Sequence, residues 1–258
     1  MEMWKNFKER LQVITGKFKT VNKTLAKLLV IAILWVIIYD FILVDIPEWF
    51  PKASVIGLLT RNLCFAFMTG FIFYFVNTHL SGHKTKVKTY RYVANKVSTL
   101  DNMSINLILS IKHTLSLQNS GYEVPSRDDV SHWCKQIPNH IPVSFRVMAY
   151  TNIFPNWFKL FEFIDTETIK NVKDLLTLRD SLDSETLRLI TNIENCTTTF
   201  LNMSKGVPFN TQNNSLEFWD LHIYEYRKMC NQLVTHLKKE YKVYEDEYHY
   251  LERKEKRA

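Results

Sequence analysis

The chain has 258 residues, a mean hydropathy near neutral, and only six glycines and seven prolines. That length holds an apolar module plus one soluble domain, and the composition argues against collagen-like, disordered or sheet-dominated chains. Its net charge of +7 is uneven: residues 1–27 carry +5, residues 84–96 another +5, the stretch between them −1, and the remaining 162 residues −2. The soluble part therefore lacks the basic surface that nucleic-acid binding calls for, and direct nucleic-acid binding is not expected.

From the N-terminus, apolar residues fall at Trp4, Phe7, Leu11, Ile14, Phe18, Val21 and Leu25, in alternating steps of three and four. That is a helical stripe, with Lys5, Lys8, Arg10, Lys17 and Lys19 at other positions around the helix. Two readings stand side by side for this leader, residues 1–24. It is a basic amphipathic helix in the membrane interface, anchored by Trp4 and Phe7, or an ordinary helix packed on the soluble domain. Gly16 weakens it by about 1 kcal/mol and offers a bend.

Two apolar runs follow, Leu25–Val44 and Ala53–Val76, each about the 20 residues needed to cross a hydrocarbon core. The connecting DIPEWFPK breaks the helix with two prolines and places Trp49 and Phe50 where interfacial aromatics sit. Both outer flanks are strongly basic and the connection is acidic, so the positive-inside rule puts both termini in the cytoplasm. A cleaved signal peptide fits poorly: leader and apolar run are too long, and no small-x-small site follows.

Two charges lie within the apolar runs. Arg61 is about 12 Å and Asp40 about 7 Å from the external end at 1.5 Å per residue, so in an antiparallel hairpin they are expected to pair. The alternative is a polar face lining an oligomeric pore, to which Thr60, Asn62 and Thr69 would add.

From Lys84 onward the pattern is helical almost throughout. Val93, Val97, Leu100, Leu107, Ile111 and Leu115 recur about once per turn, and Gly121 and Pro125 end the helix. Ser126 is an N-cap for a short helix. After the break IPNHIP comes an aromatic-rich segment interrupted by Pro155, and then helices at about 166–180 and 184–203, with a cap at Asp183–Ser184. The last helix starts near Ser215 with a seam of Trp219, Ile223, Tyr226, Cys230, Leu233, Leu237, Tyr241, Tyr244, Tyr248 and Leu251. One extra step of four gives that seam a stutter, and packing within the chain is favoured over self-association. The fold class is all-α: a two-helix transmembrane hairpin over residues 25–77, then a cytoplasmic helical bundle over 78–258 with a long C-terminal helix.

No phosphate loop, dinucleotide fingerprint, nucleophile elbow or HExxH is present. Arg127 and His132 match the R-x4-H form of all-helical HEPN-type ribonucleases, in which an Arg and a His act on an RNA phosphate. At this composition about one such match arises by chance. His132, Cys134 and His140 match no standard zinc spacing and lack a fourth ligand. Cys64, Cys134, Cys196 and Cys230 form no CxxC pair, so reduced thiols are expected. No metal, cofactor or enzymatic activity is expected.

The order of parts (basic leader, spans at Leu25–Val44 and Ala53–Val76, helical cytoplasmic domain) resembles the small two-transmembrane effectors of bacterial anti-phage, retron-type defence systems. The resemblance carries no residue-level roles. It implies a protein of the bacterial inner membrane that stays silent with its partner and damages the bilayer when infection is sensed. Its partners would be the lipid bilayer and either a second protein or another copy of itself, met through the cytoplasmic domain. A non-toxic membrane scaffold or sensor is the second class of reading.

Overall fold

Asn22 opens the first long helix: its side-chain oxygen accepts from the Thr24 amide at 2.9 Å and satisfies one of the free donors at a helix start. That helix, α1, runs Lys23–Ile38 and continues as a π-helical turn over Tyr39–Leu43. Helix α2 spans Ala53–Tyr74, passes through a second π-helical turn at Phe75–His79, and leads directly into α3, Leu80–Thr114. The computed structural model describes residues 15–43, 46, 51–117, 123–147, 150–206 and 214–255, with backbone alone for 201–206 and 254–255. Two of its helical stretches, Lys23–Leu43 and the one beginning at Ala53, are long and apolar enough to cross a membrane, and their apolar surface is almost entirely exposed.

The chain forms two compact units. One takes the residues up to Lys88 together with those from Val243 onward; the other is Thr89–Lys242. In the first unit α1 and α2 pack against each other. Residues 15–19 are helical and are joined by α8, Lys242–Glu255, most of which belongs to this unit. A Cβ at Gly16 would stand 2.9 Å from a Val243 methyl. Gly16 therefore lets two backbones approach closely, where the sequence suggests only a bend.

The second unit is built from the distal part of α3 with α4 (Arg127–Gln136), a β-hairpin, α5 (Trp157–Leu176), α6 (Ser184–Gly206) and α7 (Asp220–Glu240). Val93, Val97, Leu100, Leu107 and Ile111 are all buried, so the once-per-turn stripe is the core face of α3. That helix stops earlier than Gly121. Ser116 takes a positive φ of 54°, the Leu117 amide donates to Lys112 O at 2.9 Å, and the Ser116 amide donates to His113 O at 3.0 Å. This is a Schellman cap closed on a serine, which tolerates the left-handed region less readily than glycine.

Ser126 caps α4 in a full capping box with Asp129. The chain is predominantly helical, as expected, and the aromatic-rich segment adds the one small sheet among the described residues. Between Pro142 and Pro155 the chain makes two antiparallel strands, β1 (Val143–Val147) and β2 (Tyr150–Phe154). Val143 and Phe145 alternate inward, and Phe145, Phe154 and Phe163 cluster at ring distances of 5.3–6.4 Å. The Asn106 amide and Ser110 hydroxyl of α3 donate to Arg146 O and Ser144 O, closing the outer edge of β1. Every residue from Tyr150 to Ile153 is exposed. Helix α5 begins nine residues before the expected 166, because Asn156, directly after Pro155, caps it through the Lys159 amide.

Helices α5, α6 and α7 pack side by side. Phe161 stacks on Phe200 at 5.2 Å, and the buried Tyr226 hydroxyl meets Thr168 Oγ1 at 3.0 Å. Arg227, almost wholly buried, donates to Asp101 at 2.6 Å and to Ser104 at 3.2 Å. The last helix is two helices. It breaks at Tyr241, where the extra four-residue step of the seam falls.

Asp183 caps α6 through Thr186, and His236 lies 2.9 Å from its Oδ1. Burial alone would raise this carboxyl. The bonds from Thr186 and His236 outweigh burial and hold it at about 2. As pH falls the unfolded chain takes up this proton first, so the contribution is complete above about pH 4 and is lost as pH drops towards 2. Asp183→Ala is expected to lower the melting temperature at pH 6 and to flatten its decline between pH 4 and 2, as read by thermal unfolding across that range.

Candidate functional site

The helix pair of the first unit is closed by a small residue. Gly57 lies against the Tyr39 ring so tightly that an added Cβ would collide with it, and the Tyr39 hydroxyl donates to Ser54 O at 3.3 Å. Overpacking of this kind costs about 1–3 kcal/mol. Gly57→Ala should destabilise the pair by that amount, and Tyr39→Ala in the same chain should relieve it; unfolding titrations in detergent micelles read both.

One turn further along α2, the structure brings Arg61 and Asp40 together. Arg61 Nε donates to Asp40 Oδ1 at 2.6 Å and Nη2 donates to Oδ2 at 3.2 Å, with both side chains about one-third exposed. Asp40 stands in the π-helical turn after α1, and the Arg61 guanidinium also lies 5.0 Å from the Phe65 ring centre. A two-point bond of this geometry fixes the register of the two helices. Thr60 and Thr69 do not join it: their hydroxyls donate back to Ile56 O and Phe65 O of their own helix, at 2.9 and 3.0 Å. Asn62 is exposed on another face. The expected anchors Trp4, Phe7, Trp49 and Phe50 lie outside the described residues.

At the opposite end of the helix pair is a cluster that the sequence reading did not single out. Phe71, Phe75, His79 and His83 follow one another at four-residue steps, with ring centres 6.3, 5.4 and 6.3 Å apart, and Phe18 stacks on Phe75 at 4.8 Å. The ladder ends in charge. His83 Nε2 lies 2.7 Å from Glu247 Oε2, and Lys17 Nζ lies 3.1 Å from Glu247 Oε1. His83 and Glu247 are almost wholly buried. A carboxylate only accepts, so the His83 proton is on Nε2. Thr20 Oγ1 lies 3.3 Å from His83 Nδ1 and 3.2 Å from His79 Nε2, while His79 Nε2 donates to Lys17 O at 2.9 Å. The Tyr244 ring is 5.0 Å from the His83 ring, and the Lys86 ammonium lies over the Tyr244 ring, 5.6 Å from its centre. Burial pushes the His83 imidazole below its ordinary value; the Glu247 bond and charge pull the other way, and Lys17 and His79 add to the lowering.

Two histidines one turn apart directly after an apolar run were the available signal for this cluster. Glu247 gave none, because the seam pattern places Tyr248 inward, whereas Glu247 is buried and Tyr248 only half-buried.

Arg127 and His132 are both exposed on α4, about 140° apart around the axis at five residues' separation. The His132 Nε2 faces the Gln136 amide at 2.8 Å. Cys134 is buried, its thiol pushed up to about 12, while His140 is exposed. Among the described residues no three His, Cys, Asp or Glu side chains are grouped to hold a metal. Compared with known proteins, the chain matches no family model, no curated protein and no solved structure.

Proposed function

We propose that the chain is a two-span membrane protein with both termini in the cytoplasm, an effector that perturbs its own bilayer when the C-terminal helix releases the base of the spans. In this reading α1 and α2 form a transmembrane hairpin and the remaining helices form a cytoplasmic bundle. The observation that carries it is the buried Glu247–His83 pair with the half-buried Lys17 bonded to the same carboxylate. It ties three segments together: the one before the first apolar helix, the one after the second, and α8 near the C-terminus. Moving α8 away strands a lysine and a histidine, so the helix and the span base change state together. The apolar exposed surface of α1 and α2 supports the membrane, and the basic flanks support the orientation. The resemblance to two-span anti-phage effectors supports a setting in the bacterial inner membrane, with a cytoplasmic partner that keeps α8 seated until infection. No catalytic step is needed for this action.

Inducible expression in bacteria with a membrane-potential dye tests the proposal. Truncation after Glu240, which removes α8, should depolarise the membrane and halt growth, whereas the full chain with its partner should not. A truncated chain that accumulates in the membrane to parental level and leaves potential and growth unchanged would sink it. The scaffold reading has one observation in its favour, the exposed strand β2, whose outer edge offers backbone groups to another strand. It predicts a co-purifying partner that Thr151→Pro displaces, with no change in membrane potential under any condition.

A further inference from the structure

We propose that the outward face of α2, centred on Asn62, is where two copies of this chain meet inside the membrane. The inference rests on the two-span reading. Most other polar groups along this helix are accounted for. Arg61 is bonded to Asp40, and Thr60 and Thr69 donate to carbonyls of their own helix. Further along, the Asn77 amide does the same to Phe73 O at 3.1 Å. Asn62 is exposed, and its side chain makes no hydrogen bond to any described residue. It stands nine residues after Ala53, about 14 Å along the helix and so close to the middle of a hydrocarbon core of about 30 Å.

An amide at that depth meets only acyl chains, and leaving it unbonded costs several kcal/mol. A carboxamide is donor and acceptor at once, so a second Asn62 related by a two-fold axis satisfies both ends of each. That self-complementarity identifies the occupant as another copy of this chain. The rest of the face allows the approach. Ala66 and Gly70 follow Asn62 at four-residue steps, both are exposed, and nothing lies within 4 Å of where a Cβ on Gly70 would stand. Small residues at that spacing let two helix backbones come close. Arg61 lies about 100° around the axis and stays turned to Asp40, so association leaves the ion pair intact. Both copies share one bilayer, which raises their effective concentration.

The test uses the full chain, carrying donor or acceptor fluorophores fused at its C-terminus, in vesicles of phosphatidylethanolamine and phosphatidylglycerol. Energy transfer is followed against the protein-to-lipid ratio. Asn62→Leu and Gly70→Leu should each need at least a tenfold higher ratio to reach half-maximal transfer. Asn62→Gln, which keeps the amide, and Ile72→Ala, on a different lipid-facing side, should stay close to the parent. Leucine suits hydrocarbon better than asparagine, so a loss in Asn62→Leu cannot come from failed insertion. Parental behaviour of Asn62→Leu, an equal loss in Ile72→Ala, or no transfer by the parent would overturn the interface. Alkaline carbonate extraction separates the two readings: release of the parent into the soluble fraction overturns the two-span reading itself.

Discussion

Arg61→Leu should destabilise the α1–α2 pair by about 3 kcal/mol, because it leaves Asp40 charged and unbonded beside apolar helices. The pair is bonded at two points, at 2.6 and 3.2 Å, so the leucine removes both bonds at once. The informative comparison is Asp40→Leu/Arg61→Leu. With both charges gone the site is apolar, which hydrocarbon tolerates, and most of the lost stability should return. Titration with denaturing detergent on the four chains of the double-mutant cycle reads the coupling directly. A coupling energy near zero would mean that the two groups are held side by side without supporting each other. The same cycle bears on the pore alternative. If Arg61 lines a conducting path, Arg61→Leu should also alter ion selectivity in the α8-truncated chain. Unchanged conductance would leave the arginine with its register role alone.

Glu247→Ala should free α8 to a similar degree, about 3 kcal/mol, and raise amide exchange in residues 243–253 by about two orders of magnitude. The carboxylate accepts from two groups, the Lys17 ammonium at 3.1 Å and the neutral His83 ring at 2.7 Å. Glu247→Gln still accepts from His83 but no longer neutralises Lys17, so it should fall between alanine and the parent. The docking is also pH-dependent in a defined direction. His83 is held below its ordinary value chiefly by burial, so on acidification the released state takes up its proton first. Docking stability is therefore complete above about pH 6.5 and declines as pH falls below it. The facing groups are Lys17 from the segment before α1, His79 on the same helical run, and Glu247 and Tyr244 from α8, with Lys86 over the Tyr244 ring. His83→Gln should abolish the slope between pH 7 and 5.5. Exchange that accelerates equally with His83 absent would assign the effect to another group.

The two features at opposite ends of the helix pair differ in how far the sequence announces them. A charge inside an apolar run is conspicuous, and helix rise alone places Asp40 and Arg61 at comparable depth. Lys17 and Glu247 look like any surface charges, and no local pattern reaches across the 229 residues between them. The phase of α8 obscured the second of them. The apolar stripe does not carry unchanged through the break at Tyr241: past that point the buried face shifts from Tyr248 to Glu247. The long α3 stripe was legible because five buried residues repeat it. The β-hairpin was not, since its inward alternation is only a few residues long and aromatic-rich segments suit either structure. Proline at 155 marks an end, and whether a strand or a helix ends there is decided by the α3 side chains that close β1.

That hairpin has a consequence for synthesis. Asn106 and Ser110, which close the β1 edge, leave the ribosome before the strands do, whereas nothing described closes β2. The edge from Tyr150 to Phe154 carries no charged residue, and lysine or proline within the strand is the usual guard against sheet growth between molecules. Overproduced chains are thus expected to form inclusion bodies through this strand. Thr151→Lys should raise the soluble yield of the isolated polypeptide while leaving both units folded.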